Sequence, residues 1–418
     1  MRSGGFASAL STASPADRSA SLPGVTPGYD SFLLVSFGGP EHASDVMPYL
    51  RRVTAGRGIP QARLDEVAQH YYAHGGASPI NERCLELLGL VGPGLEDLGL
   101  ACYWGNRNWG PLLEDTLAQM RDDGRSRALA FVTSAYGGYS SCRQYQEDLA
   151  RAAQRVGPRA PVVDKIRLFY NHPLWVHAWA QSATEAMHNY QSSSAAAGAA
   201  SLSEPDVLFS AHSIPDVAAR TSPYVEHVSE AARLVARAAG ISDYQLVWQS
   251  RSGSPGAPWL GPDITEVIAI SEAPGFVVVP IGFVCENLEI THDLDVEAAE
   301  VAGARGKAFV RSRAVSSSAS FVQMVLSLVS ERLHPDSAGP RVSLGEGGPW
   351  PDLCPDGHCP APARPAPSQS SPSPSSPSPR SPSPRSPSPS SPTPSSPTPS
   401  SPTPSRPSQA GPDRGGLA

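Results

Sequence analysis

From Tyr29 onward the chain alternates two kinds of hydrophobic pattern. Short unbroken apolar runs, such as "SFLLVS", "RALAFV", "DVLFSA" and "GFVVVPIGFV", fit strands covered on both faces. Between them lie longer stretches with apolar residues every third or fourth position, among them "ARLDEVAQHYYAH", "PLLEDTLAQMRDDG", "CRQYQEDLARAAQRVG" and "YVEHVSEAARLVARAAG". That spacing predicts amphipathic helices. The alternation runs through two series, which predicts an α/β fold of two doubly wound, open parallel-sheet domains with a cleft between them. The expected boundaries are a disordered N-terminal segment at 1–29, a first domain at 30–188 and a second at 206–335 with its C-terminal helix. Residues 189–205, "NYQSSSAAAGAASLSEP", are poor in large apolar side chains and read as a linker or surface insertion. A cysteine-containing segment at 340–360 precedes 361–418, a Ser/Pro-rich tail with too few apolar groups to offset chain entropy, expected to be disordered.

Composition narrows the function classes. Over 418 residues the formal net charge is −7, with no Lys/Arg block interleaved with aromatics, so a nucleic-acid partner is not expected. No apolar run approaches the ~20 residues of a membrane span, and the longest is broken by Pro280 and Gly282. The N-terminus has no continuous apolar core of the secretory type, so a cytoplasmic location is expected. Six cysteines in that compartment do not suggest a disulfide framework. Neither G-x-G-x-x-G nor a Walker A pattern occurs, which disfavours nucleotide cofactors.

In an open parallel sheet, ligands bind beyond the carboxyl ends of the strands. His212 ends the apolar run "DVLFSA" at such a place. After "FVVVPIGFVC", Glu286, Glu289 and Asp293 stand at i, i+3 and i+7, with Glu297 a turn further, which predicts a row on one helical face. Stacked like charges cost stability unless a cation or base compensates. An imidazole and carboxylates at one crevice suit a divalent transition metal, and equally suit proton removal with His212 as base. The small-residue loops "SFGGP", "HGGASPIN", "GNRNWG" and "SAYGGYSSCRQY" would let a large flat ligand approach the backbone.

Taken together, "LLVSFGGPE", "HGGASPIN", "FSAHSIP" and "PIGFVCENLE" resemble the ferrochelatase family over Phe32 to Leu333. The resemblance implies insertion of Fe2+ into a porphyrin, with His212 and Glu289 at the metal and Asp293 and Glu286 in metal or proton traffic. It implies porphyrin contacts from Ser78 and Tyr145; Phe37 replaces a tyrosine that reaches the iron in some bacterial members, and Arg107 and Arg143 are candidates for the substrate carboxylates. Many relatives carry "DHxE" where this chain has Glu286-Asn287-Leu288-Glu289. The alanine- and arginine-rich composition and the C-terminal cysteines resemble the actinobacterial branch, which acts on coproporphyrin III. Protoporphyrin IX is the alternative substrate, and a cobalt or nickel chelatase or a non-catalytic haem-binding module are the alternatives in class. A C-x4-C pair alone fits idle thiols as well as ligands. The resemblance implies a [2Fe–2S] centre, for which this chain supplies three matching ligands, Cys142, Cys354 and Cys359; His358, standing where relatives have a further cysteine, is the candidate fourth ligand, and a lost cluster is the alternative.

Overall fold

The computed structural model describes residues 28–196, 204–252, 258–336, 339–355 and 357–361. In chain order the first half contains β1 (Ser31–Ser36), α1 (Val46–Val53), α2 (Gln61–Ala73), α3 (Ile80–Asp97), β2 (Ala101–Asn106), α4 (Leu113–Asp122), β3 (Arg127–Val132), α5 (Gln144–Val156) and β4 (Val162–Lys165). Helix α6 (Pro173–Ala196) leads to the second half. There follow β5 (Asp206–His212), α7 (Asp216–Arg220), α8 (Tyr224–Ala239), β6 (Gln245–Gln249), α9 (Ile264–Ile270), β7 (Gly275–Val279), α10 (Leu288–His292), α11 (Ala299–Ala304), β8 (Ala308–Arg311) and α12 (Ala319–Leu333). Among the described residues none of these helices is long and apolar enough to cross a membrane.

Each half forms one four-stranded sheet, in the orders β2-β1-β3-β4 and β6-β5-β7-β8, and every pairing is parallel. This is the doubly wound α/β architecture that the hydrophobic runs predict. Strands β1 and β7 are buried along their whole length because helices cover both faces. The helices begin and end where local chemistry requires. Asp263 and Glu266 cap α9 reciprocally, Ser318 accepts from Phe321 N–H at the start of α12, and Gly240 closes α8 at φ +70°.

One apolar core joins the halves. Phe32, Leu34 and Phe131 of the first sheet belong to the same buried cluster as Phe209, Ala211 and Val279 of the second. Trp175 and Trp179 of α6 fill the space between, Trp175 meeting Phe169 edge-on at 5.3 Å and Tyr136 at 6.4 Å. Helix α6 continues through Ala196, past the point where low complexity placed a linker at 189. The reason is composition: alanine is the best helix former, and "QSSSAA" continues a helix already nucleated by a packed face. The rest of that segment, 197–203, lies outside the described residues, as do the N-terminal segment through 27 and the tail from 362.

The C-terminal segment is fastened back onto the first half. Arg167, just past β4, forms a two-pronged ion pair with Glu331 of α12 at 2.9 and 2.8 Å, and also donates to the carbonyl of Val342 at 2.9 Å. Both side chains are almost fully buried. Removing one partner would strand the other charge away from water. Glu331→Ala is therefore expected to cost about 3–5 kcal/mol in denaturant unfolding, more than any exposed ion pair on the surface; a loss under about 1 kcal/mol would mean that Arg167 is solvated.

Candidate active site

The second sheet's strand order makes the site. From β5 the chain crosses to β6 on one side, then returns to β7 on the other, so the loops leaving β5 and β7 diverge and open a crevice. His212 ends β5 in that crevice, paired in register with Gln249 at the end of β6. Beyond β7 the chain stays against β5: Gly282 N–H donates to the Ser210 carbonyl at 3.0 Å. A Cβ on Gly282 would lie 2.6 Å from Ala211 Cα and Cβ, so only glycine fits there without displacing the strand that carries His212.

This close passage brings Glu289 to His212, Oε1 standing 3.4 Å from Nε2. The other ring nitrogen, Nδ1, bonds the Ser213 carbonyl. Tyr224 of α8 donates its hydroxyl to the His212 carbonyl at 3.0 Å. Glu289 is positioned through its backbone, since the buried Gln249 amide donates to its carbonyl at 3.1 Å while accepting from Ser210 Oγ at 2.8 Å. Asn287 caps α10, its side chain accepting from Ile290 N–H at 3.0 Å, so this residue has a structural role.

The carboxylate row differs from the sequence expectation at its first member. Asn287 is extended (φ −149°, ψ 178°) and the helix starts only at Leu288, so Glu286 shares no helical face with Glu289. Glu286 turns instead to Arg311 (3.0 Å) and the Ala314 N–H (2.8 Å), clamping the loop after β7 to the exit of β8. Downstream, Asp293–Ala298 is a π-helix. Its wider i→i+5 turn keeps Asp293 and Glu297, four residues apart, toward the same side, one turn beyond Glu289 of α10. Asp293 accepts from Ser250 Oγ, and Ser250 holds a left-handed backbone (φ 62°) at the exit of β6.

Electrostatics couples these groups. Burial opposes a charge on His212, but the Glu289 carboxylate beside it, the Ser213 carbonyl and Asp293 outweigh that and raise its pKa to about 9. Burial raises Asp293 to about 7, helped by Glu289 and Glu297 and opposed by Ser250 and His212. Helix α2 of the first half faces the same charges, since Glu289 and Asp293 both act on Tyr71.

Of the expected porphyrin contacts, three gather at the mouth of the first sheet. The Arg107 guanidinium lies over the Tyr145 ring at 4.3 Å and the half-exposed Phe37 ring at 5.6 Å. It is held by Asp148 at 2.6 Å and by the Ser140 carbonyl, so Arg107 acts as a fixed platform and not as a free cation. Arg143 pairs with Glu147 at 3.3 Å. Ser78 packs on the same loop, its N–H bonded to the Pro40 carbonyl at 2.8 Å and its Cβ filling the space beside Gly39. Gln249, Ser250 and Tyr224 escaped the sequence reading; the signal was two polar residues ending the apolar run "QLVWQS" at the same sheet edge as His212.

Cysteine donors from distant segments act on one another electrostatically. Burial pushes Cys359 up to about 11, with Cys142 and Cys354 adding to it, and burial raises Cys142 against the opposing charge of Lys165. His358 Nδ1 stands 3.0 Å from Cys359 Sγ, and Trp350 Nε1–H points at Cys354 Sγ at 3.4 Å. Three thiols and an imidazole are suitable donors for an iron–sulfur centre. Among the described residues, however, no three His, Cys, Asp or Glu side chains are arranged to hold a metal ion, so the donors are not closed round a centre.

The two shifted groups set a pH signature. Asp293 binds its proton more tightly folded than unfolded, so its contribution to stability is full below pH 4 and is lost as pH rises to about 7. His212 adds a second loss as pH rises from 6.5 through about 9. Asp293→Asn should therefore be roughly 2–4 kcal/mol more stable than wild type at pH 8 and nearly equal to it at pH 4, read from urea midpoints; a difference independent of pH would show that Asp293 ionises normally.

Residues 29–333 match the family profile described as Ferrochelatase. A protein from Rhodopirellula baltica described as "Ferrochelatase" is 44% identical over 339 residues, covering 80% of this chain and 94% of its own length. Two proteins described as "Coproporphyrin III ferrochelatase" are each 45% identical. That from Nocardia farcinica aligns over 75% of this chain and 90% of its own length, and that from Mycolicibacterium smegmatis over 73% and 90%.

Proposed function

This chain belongs to the ferrochelatase family, metal chelatases that insert iron into a porphyrin, and we propose that its porphyrin is coproporphyrin III, metalated over His212 and Glu289. The observation that carries the reading of the site is the 3.4 Å approach of the Glu289 carboxylate to His212 at the crevice of the second sheet. Support for the substrate comes from the named activity of the Nocardia and Mycolicibacterium relatives.

Metalation releases two pyrrole protons as Fe2+ enters the ring. With a pKa of about 9, His212 is an imidazolium at neutral pH, Nδ1–H bonded to Ser213 and Nε2–H directed at Glu289. It must shed one proton before it can act as a base or a ligand. The Ser213 carbonyl retains the Nδ1 proton, so the one lost comes from Nε2, exposing a lone pair on the side where Glu289 stands. Asp293, with a pKa of about 7, is poised to accept a proton and return it to solvent. Burial of the ring against the first-half platform would exclude water and hold the macrocycle distorted toward the metal face.

Anaerobic Fe2+ insertion, followed by absorbance with coproporphyrin III and protoporphyrin IX, tests the proposal. Coproporphyrin should turn over faster, and His212→Ala or Glu289→Ala should lower kcat/KM on the order of 100-fold or more. Preference for protoporphyrin would overturn the substrate reading, and near-normal rates in both variants would overturn the site.

For the C-terminal donors, we infer a [2Fe–2S] centre on Cys142, Cys354, Cys359 and His358. Its support is the resemblance of these positions to the family's cluster ligands and the electrostatic influence of Cys142 and Cys354 on Cys359, thiols from segments some 200 residues apart. Anaerobically purified protein should then carry iron and acid-labile sulfide in equal amounts with visible charge-transfer absorbance, lost in Cys142→Ser; colourless protein without sulfide would overturn it.

A further inference from the structure

Three histidines next to the carboxylate row have no part in the scheme above. His70 lies in the last turn of α2, and His74 caps the same end four residues later. His292 ends α10 and meets both. Its Nδ1 lies 3.3 Å from His74 Nε2, its ring stacks on His70 with centroids 4.0 Å apart, and its Nε2 stands 3.5 Å from Glu297 Oε1.

We propose that His74 and His292 form a way-station for a divalent cation, one helical turn from Glu289, from which the ion passes to the porphyrin site. The two nitrogens share a hydrogen bond, whose proton an arriving ion would displace. Imidazole nitrogens each ~2.0–2.1 Å from a tetrahedral ion lie about 3.3–3.4 Å apart, which is the observed separation. Glu297 Oε1 stands 3.5 Å from Nε2 of His292, which favours the tautomer with its proton there and its Nδ1 lone pair toward His74. Stacking on His70 fixes the ring plane.

Only two protein donors face the ion, and water completes its shell. Among the described residues no set of three ligating side chains surrounds a point, which suits an ion that must be released, not kept. The ion's identity as Fe2+ rests on the ferrochelatase reading; the site itself does not. The two helices come from different halves of the chain, so an ion held here lies where both halves contribute.

Co2+ titration followed by visible absorbance and calorimetry, without porphyrin, tests the site in a His212→Ala background. That variant should retain a Co2+ site, weakened tenfold or more by adding His74→Leu and by adding Glu297→Gln, with far-UV dichroism unchanged. Equal affinity with and without His74→Leu overturns the proposal. In the otherwise native chain, His74→Leu should raise KM for Fe2+ about tenfold and leave KM for the porphyrin in place. Weakened Co2+ binding with unmoved KM for Fe2+ would make this a resident cation site and overturn delivery. Absence of metalation by wild type would count against the family reading alone, since the Co2+ titration judges the pair independently.

Discussion

The reversal of winding about β5 is the constraint from which the site follows. Connections leave β5 and β7 in opposite directions, so their carboxyl ends flank a gap that no crossover fills. Whatever ends those strands is presented there, and here it is His212 and, after a close turn past Gly282, Glu289. The first sheet has the same order, so the ends of β1 and β3 flank a second gap bearing Phe37 and the glycine-rich turn that leads to Cys142. Tyr136 ties the two mouths together, its buried hydroxyl donating to the Ile281 carbonyl at 2.7 Å. A hydroxyl buried there without that acceptor would cost on the order of 1–3 kcal/mol, so the bond holds the halves in one register.

Charge balance decides which group holds protons. Three carboxylates, Glu289 of α10 and Asp293 and Glu297 of the π-helix after it, follow one another, and their mutual repulsion would be unfavourable alone. The protein relieves it in two ways. His212 takes a proton and becomes the counterion of Glu289, while Asp293 keeps its own proton into the neutral range. The arrangement is therefore electrically satisfied without a metal and gives up protons when one arrives. A site built only of carboxylates would lack the first property, and one built only of histidines would lack the second.

Much of this was legible in the chain. Unbroken apolar runs marked β1, β3, β5 and β7, the inner strands of the two sheets, and a strand stopping on His212 marked the sheet edge. What was not legible came from local backbone choices. A uniform helix through "ENLEITHDLDVEAAEVAG" put Glu286 in the row; the Asn287 cap, a later helix start and a π-turn rearranged it. Partners supplied by tertiary contact were also invisible: Asp148 for Arg107, Ser250 for Asp293, Gln249 for the Glu289 backbone. The histidines of α2 read as ordinary polar positions on an amphipathic helix, because their meeting with His292 depends on how the two halves pack.

The C-terminal segment bears on the site through packing. Trp350 stands edge-on to His227 at 4.4 Å, and His227 stacks on Tyr170 at 3.9 Å while accepting from Gly137 N–H at 3.0 Å. His227 lies one turn along α8 from Tyr224, whose hydroxyl holds the His212 carbonyl. Asn171 and Arg167 fasten the segment on its other side, through the carbonyls of Gly348 and Val342. The segment that carries Cys354 and Cys359 thus braces the helix that braces the strand ending in His212. A change of state at those thiols that shifted Trp350 would reach His212 through rigid packed rings and a single hydrogen bond, without any contact between the cysteines and the porphyrin crevice.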